Sequence, residues 1–300
     1  MPEDPPTARS IQTPPLTVAS LLERLRDELG SVSEVPWLEA QLLLCQVTGW
    51  PRSRLYARPE ALVAPGMLVP LQALLERRRA GEPFAYLTGT QEFWSLSLEV
   101  GADVLVPRAD TETVVERCLE LLMNVATPTV VDLGTGSGAI ALAIASERRD
   151  ARVVACDRSR AALRIAARNR ARHGLHHVQL ACMSWASALA PGCADLVVSN
   201  PPYIAADSPS LQDVGVRFEP REALVAGDDG LACLEVLIPD CRQLLKVNGH
   251  LVLEHGADQG PAVHARLRRA GYEAIGLAAD LGGRPRVSYA RWPASATRAV

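Results

Sequence analysis

Residues 129–139 read Thr129-Val130-Val131-Asp132-Leu133-Gly134-Thr135-Gly136-Ser137-Gly138-Ala139, and this stretch decides the fold. Thr129 to Leu133 is β-branched, apolar and bounded by turn formers, which marks a short buried strand. The three glycines make a turn whose backbone can approach a ligand that a Cβ would exclude, and Ala139 to Ala145 follows as helix. A second apolar run, Arg152-Val153-Val154-Ala155-Cys156, ends in Asp157, about 20 residues beyond the loop, where a carboxylate can accept hydrogen bonds from both hydroxyls of a ribose. Ser159 caps the next helix. Strand alternating with helix is the signature of a doubly wound parallel α/β sheet, and a nucleoside cofactor belongs on the loop.

Glycine loops of this kind are weakly specific. Gly134-x-Gly136-x-x-Ala139 also satisfies the relaxed dinucleotide fingerprint, so an NAD-dependent protein stands as a rival reading. Asp132 argues against it: a carboxylate two residues before the first glycine would repel a pyrophosphate but suit the ammonium group of a methionine-like cofactor. Downstream, Val178 to Ala181 is the third strand, and Met183-Ser184-Trp185 offers an indole that could cover an adenine face or simply fill core.

The fourth strand, Ala194-Asp195-Leu196-Val197-Val198, stops at Ser199-Asn200-Pro201-Pro202-Tyr203. A residue before proline is driven into extended backbone, and Pro201 and Pro202 each fix φ near −65° and lack an N–H. The turn is therefore stiff and presents carbonyls without competing donors. Asn200 adds a carbonyl acceptor and an NH₂ donor, and Tyr203 a flat face with a polar tip. Two acceptors and a ring suit a planar NH₂ group, a function that hydride transfer does not need. An ordinary turn is the bland alternative. The strands Leu251 to Glu254, Tyr272 to Leu277 and Arg286 to Ala290 complete the sheet, with a tail from Ala294.

Working towards the amino terminus, Pro107-Arg108-Ala109-Asp110-Thr111-Glu112 opens a helix with acidic residues in its first turn. Residues 89–108 are expected to be a β-hairpin linker, alternating from Trp94 to Leu98 with Val100 in phase, followed by Val104-Leu105-Val106-Pro107. Residues 17–88 read as a small helical domain. Thr17 can cap a helix bearing Leu21, Leu22, Leu25 and Leu29 and stopped by Gly30; a second run holds Leu38, Leu42, Leu43 and Val47, and a third extends from Met67 to Ala80. Residues 1–16 are expected to be a Pro/Thr-rich, disordered tail, and 109–293 the domain that carries the cofactor loop and the chemistry.

The chain has 300 residues, 48% of them hydrophobic, which is material for two domains with a sizeable core. A net charge of −3 leaves no overall footprint for nucleic acid, and Arg77-Arg78-Arg79 reads as a solvated helix face. Seven cysteines, without a Cys-x-x-Cys pair, fit neither a disulfide framework nor a zinc ribbon; a reducing cytoplasm fits. No signal peptide and no apolar run long enough for a membrane span stand out. His173, His176 and His177 match no closed metal set, so no metal is expected, and His255 reads as structural.

Asp132 to Gly138 with Asp157 resembles the S-adenosylmethionine site of class I (Rossmann-like) methyltransferases, and Asn200-Pro201-Pro202-Tyr203 resembles the motif of those that methylate planar amino or amide nitrogens. Gly81-Glu82-Pro83-Phe84-Ala85-Tyr86-Leu87-Thr88-Gly89, Pro107 to Glu112, Phe218-Glu219-Pro220-Arg221-Glu222-Ala223-Leu224, Gly227-Asp228-Asp229-Gly230-Leu231 and Leu253-Glu254-His255-Gly256 narrow the resemblance. Together they are similar to the HemK-type glutamine N5-methyltransferases of peptide chain release factors, over residues 17 to 290. Ser184 departs from the Asp that many members carry before the Trp. The resemblance implies that Asp132, Gly134, Thr135, Gly136, Ser137, Gly138, Asp157, Trp185 and Asn200 bind S-adenosylmethionine. It implies that Asn200, Pro201, Pro202 and Tyr203 hold the glutamine of a Gly-Gly-Gln loop, with Glu219 in a supporting role, and that Arg286 to Ala290 is an antiparallel edge strand. Release factors would be the partners of a monomeric, cytoplasmic enzyme that docks them through its helical domain and makes no direct contact with nucleic acid. A DNA adenine-N6 or cytosine-N4 amino-methyltransferase shares the Asn-Pro-Pro-Tyr turn and is the alternative, although base flipping needs a basic target-reading region.

Overall fold

The structure, a computed structural model, describes residues 16–294 and divides into two compact units that meet in sequence between Thr88 and Gly89. Except for Leu16, the tail expected over 1–16 lies outside the described residues, as do residues 295–300.

The first unit is helical. Helix α1 (Val18–Leu29) begins at a reciprocal cap: the Ser20 amide donates to Thr17 Oγ1 at 3.2 Å and the Thr17 amide to Ser20 Oγ at 3.0 Å. Its residues Leu21, Leu22, Leu25 and Leu29 are buried at helical spacing. Helix α2 (Pro36–Thr48) opens on a proline and ends at Gly49, whose φ of 70° is left-handed. The short α3 (Arg52–Ala57) and α5 (Phe84–Thr88) flank α4 (Pro65–Arg79) in the chain; neither short helix has enough periodicity to be read from sequence. One expectation is corrected here. Arg78 is buried, not solvated: its guanidinium donates to both Glu39 carboxylate oxygens, at 2.8 and 3.1 Å, and to the Val32 carbonyl at 2.9 Å. Charge runs mark a surface only when no acid elsewhere in the chain folds onto them, and Glu39 lies on a different helix.

The second unit opens with a hairpin of β1 (Thr90–Phe93) and β2 (Leu96–Glu99), whose register pairs Phe93 with Leu96. The two-residue turn is Trp94-Ser95, with φ of 49° and 60°. Such turns usually carry Asn or Gly, so the alternation from Trp94 to Leu98 suggested one continuous strand where the chain in fact reverses. Val104 to Pro107 forms no strand. After a 3₁₀ turn at Ala109–Thr111 come α6 (Glu112–Leu121), β3 (Thr129–Leu133), α7 (Ala139–Glu147), β4 (Arg152–Asp157), α8 (Arg160–Arg172), β5 (Gln179–Cys182) and β6 (Ala194–Ser199). The chain ends with α9 (Ala232–Leu244), β7 (Leu245–Glu254), α10 (Gly260–Arg269), β8 (Glu273–Ala279) and β9 (Pro285–Arg291).

Seven strands form one sheet in the order β5-β4-β3-β6-β7-β9-β8, parallel from β5 to β7. Alternate residues feed two cores: Val130, Val153, Leu196 and Val252 face the layer holding α6 and α7, while Val131, Leu133, Val197 and Leu251 face α9 and α10. Strand β9 is antiparallel, as expected, but it is not the edge: it lies between β7 and β8. Val287, Ser288 and Ala290 are fully buried, so both faces of β9 are covered, whereas β8 is largely exposed and forms the border. Chain order does not carry that insertion.

Candidate active site

The chain runs outward in one direction from β3 through β4 to β5, then returns and continues in the other from β6 to β7. The crevice between the carboxyl ends of β3 and β6 is the switch point where α/β sheets bind ligands. The Ser199 hydroxyl, fully buried, donates to the Leu133 carbonyl at 2.6 Å and ties these two strand ends together. Gly134 and Asn200 thus start side by side.

Gly134, Gly136 and Gly138 have φ of 78°, 56° and 88°, a region costly for residues with a Cβ. A Cβ on Gly138 would lie 3.0 Å from the Leu142 side chain, which explains the close packing of α7 under the loop. The Gly134 and Thr135 amides both donate to the Cys156 carbonyl at 2.9 Å, and the Gly136 amide donates to Asp157 Oδ2 at 2.9 Å. Asp157 Oδ1 takes the Ser159 amide at 2.8 Å, so this carboxylate is locked while its remaining lone pairs face the cleft it lines.

The cleft has a cavity volume of about 190 Å³. Gly134, Thr135, Gly136, Ser137, Asp157, Trp185, Asn200 and Pro202 line it. The remaining residues named from sequence lie behind this surface. Gly138, Pro201 and Tyr203 are not among the residues that line the cleft. Asp132 is buried under the loop and takes the Thr135 hydroxyl on Oδ2 at 2.6 Å, leaving Oδ1 without a partner. Burial pushes its carboxyl up to about 7, against the hydrogen bond from Thr135. Trp185, at a φ of 44°, brings its indole edge to 3.5 Å from where a Gly134 Cβ would stand. Ser184 lies on the cleft wall next to it.

The Asn200 NH₂ donates to Thr111 Oγ1 at a long 3.3 Å, which leaves Oδ1 as its free acceptor. Behind it, the Tyr203 hydroxyl points to Glu254 Oε1 at 3.4 Å. Burial, then the Glu254 charge, pushes the Tyr203 phenol up, so it stays a donor. Gly230 is indispensable to this turn, because a Cβ there would stand 2.3 Å from the Tyr203 carbonyl oxygen. Gln259 donates to the same carbonyl at 3.0 Å. Glu219 is buried and paired with Arg108 at 2.6 Å. Burial pushes its carboxyl up and Arg108 opposes. Its neighbours Pro220, Glu222 and Ala223 line the cleft, as do Asp103 to Leu105 and Pro107. Chain position alone did not assign those residues, nor Thr111. The quoted motifs 107–112 and 218–224 contained several of them without showing which side chains turn inward.

His255 is fully buried with Nε2 at 2.8 Å from Ser288 Oγ and Nδ1 at 2.8 Å from the Gly256 carbonyl, a structural role. His173 Nε2 lies 2.9 Å from the Ser97 carbonyl. Among the described residues, no group of three or more His, Cys, Asp or Glu could hold a metal ion, and all seven cysteines are free thiols.

A sheet of this order, with a glycine-turn cleft at its switch point, is the class I methyltransferase architecture. A methyltransferase from Pyrococcus furiosus has the same fold, with a TM-score of 0.50 at 17% identity over 74% of this chain and 98% of that one. The Methyltransferase small domain family matches residues 110–218 and the PrmC N-terminal domain family residues 20–89. The release factor glutamine methyltransferase of Salmonella typhimurium is 45% identical over 271 residues, covering 90% of this chain and 96% of its own. That of Xylella fastidiosa is 46% identical over 264 residues, covering 88% and 96%. This chain belongs to the release factor glutamine methyltransferase family.

Proposed function

We propose that this enzyme transfers a methyl group from S-adenosylmethionine to the side-chain amide N5 of the glutamine in the Gly-Gly-Gln loop of peptide chain release factors. The observation that carries the reading is the shared cleft: the glycine turn after β3 and the Asn200-Pro201-Pro202 turn after β6 open onto one cavity.

The residues present fit the cofactor. The left-handed glycines form a cradle that Cβ atoms would fill, the Asp157 carboxylate would take the ribose hydroxyls, and the Trp185 indole would flank the adenine. When bound, the cofactor supplies an electrophilic methyl group on a sulfonium. Asp132 would act from below the loop, through Thr135, rather than by direct contact.

An amide nitrogen is a poor nucleophile because its lone pair is delocalised into its carbonyl. Asn200 Oδ1 and the Pro201 carbonyl would accept its two N–H bonds, aiming the lone pair and stabilising positive charge as it develops. Tyr203 supports the turn from behind through Glu254. No strong base is required, since the proton leaves after the nitrogen has become acidic. Among the described residues no helix is long and apolar enough to cross a membrane; we place the enzyme in the cytoplasm, acting as a monomer without direct contact to nucleic acid.

The test incubates the enzyme with methyl-labelled cofactor and a release factor, its Gln-to-Ala loop variant, or duplex DNA. Label is expected on the first alone. Label on DNA, or undiminished label on the loop variant, would move the assignment to an amino-methyltransferase of DNA or to another residue.

A further inference from the structure

A Gly-Gly-Gln loop gives a binding site few side chains to hold. Beside the glutamine itself, what it presents are main-chain carbonyls and amides that glycine leaves bare. A cleft that takes such a loop therefore needs donors where the loop's backbone passes. Two loop segments supply much of the cleft wall: Asp103 to Leu105 with Pro107 from the stretch before α6, and Pro220, Glu222 and Ala223 from the stretch after β6. A side-chain hydrogen bond joins their ends, Arg108 Nη2 donating to Glu219 Oε1 at 2.6 Å.

The pair is lopsided: the Glu219 side chain is 1% exposed and that of Arg108 42%. Arg108 follows Pro107 in extended backbone, and its carbonyl takes the Thr111 amide at 3.1 Å in the turn that brings Thr111 to Asn200. Glu219 engages it with Oε1 alone, Oε2 having no partner, so the guanidinium is held at one point rather than through the two-point fork that makes such pairs strong. One contact of this kind repays the burial of a carboxylate poorly, so stability alone does not account for it. Arg108 makes no other hydrogen bond among the described residues, which leaves the rest of its planar donor fork free. We propose that Arg108 binds the acceptor: held from behind by Glu219, its free N–H groups take main-chain carbonyls of the loop beside the glutamine, while Asn200 takes the side-chain amide. This rests on the reading that a Gly-Gly-Gln loop enters the cleft.

Charge decides between a peptide and a nucleic acid. Arginine also grips phosphate, but Glu219 already balances this one, and donors with little net charge suit a neutral carbonyl dipole better than an anion. Among the described residues, the carboxylates Asp103, Asp157 and Glu222 line the same cleft against the single cation Arg158. A polyanion would be repelled there, whereas an uncharged glycine backbone would not.

The experiment measures methylation of a short Gly-Gly-Gln peptide by the full-length enzyme. Arg108→Ala should raise peptide KM by about 10-fold, the scale of one hydrogen bond to a charged group, while kcat and cofactor Kd change little. Arg108→Lys, a point charge without the fork, should recover only part of that loss. Thioamide peptides, in which sulfur replaces one main-chain carbonyl oxygen beside the glutamine, give a readout that a merely structural role would not move. At one position the weaker acceptor should raise KM several-fold in wild type and hardly at all in Arg108→Ala, a non-additive cycle. Thioamide losses equal in the two enzymes at every position, or an unchanged KM in Arg108→Ala, would overturn the proposal. So would duplex DNA whose binding, rather than the peptide's, depends on Arg108. Wild-type enzyme that labels no peptide glutamine sinks the substrate assignment and this proposal together, whereas a labelled glutamine with a KM indifferent to Arg108 sinks this proposal alone. Should Arg108→Ala fail to fold, Arg108→Lys carries the same comparison, since it keeps a cation against Glu219.

Discussion

Asp157 shows how one side chain serves both loop and ligand. Its two oxygens hold the Gly136 and Ser159 amides, so the ribose acceptor arrives already oriented. Asp157→Ala should weaken S-adenosylmethionine by about 10- to 100-fold, since hydrogen bonds to a charged acceptor contribute about 1.5 to 3 kcal/mol each; calorimetry reads this, and in thermal shift the cofactor but not NAD should raise Tm. Asn200→Ala should lower kcat by about 100-fold or more while cofactor affinity changes little, because positioning and charge stabilisation are lost together. Glu254 makes a prediction of opposite sign for stability. Its folded carboxyl titrates near 7 against an ordinary 4.5, so the folded protein binds the proton more tightly and ionisation is costly in the native state. Glu254→Gln should match wild type below about pH 4.5 and gain stability as pH rises through 7, up to about 3 kcal/mol. A Tm difference that shrinks with rising pH would contradict this. Asp157, the glycines and Asn200 were legible in the sequence because each follows a strand and carries its chemistry in its own side chain or backbone. Thr111 and Glu254 were not, because each matters through a partner far along the chain, Thr111 through Asn200 and Glu254 through Tyr203.

At the level of elements, the junction of hairpin, helix α8 and glycine loop turns on Asn169. Its NH₂ donates to the Glu99 and Ser137 carbonyls, at 3.0 and 2.9 Å, and its Oδ1 accepts the Glu99 amide at 2.6 Å. Asn169 is fully buried, so Asn169→Ala should cost about 3 kcal/mol in denaturant unfolding, leaving polar backbone unpaired. Cofactor affinity should fall with it, since Ser137 belongs to the loop; an unchanged Kd would show that the hairpin does not brace the site. Strand β3 and the caps at Thr17 and Ser159 were legible because local pattern alone defines them. The lateral place of β9 and the reversal at Trp94-Ser95 were not, since one depends on where the returning strand inserts and the other on a left-handed turn without glycine. Gly230, within a quoted motif, owes its need to the Tyr203 carbonyl, which no local pattern shows.

For the whole molecule, each unit has its own hydrophobic core, the helical one built on Leu22, Leu25, Leu43, Leu44, Leu71 and Leu75. The cleft is lined entirely by residues of the second unit. We propose that the first unit holds the body of a release factor. An exposed Gly-Gly-Gln loop tethered in this way enters the cleft at an effective concentration set by the tether, while a free peptide must find the cleft unaided. Deleting residues 1–88 should then raise KM for the intact release factor by about 100-fold or more, leave kcat nearly unchanged, and hardly affect KM for a short Gly-Gly-Gln peptide. Steady-state methylation of both acceptors by full-length and shortened enzyme, with unfolding curves to verify that the second unit remains folded, makes the comparison. Equal rises in KM for protein and peptide would mean that the helical unit shapes the cleft instead of docking the partner.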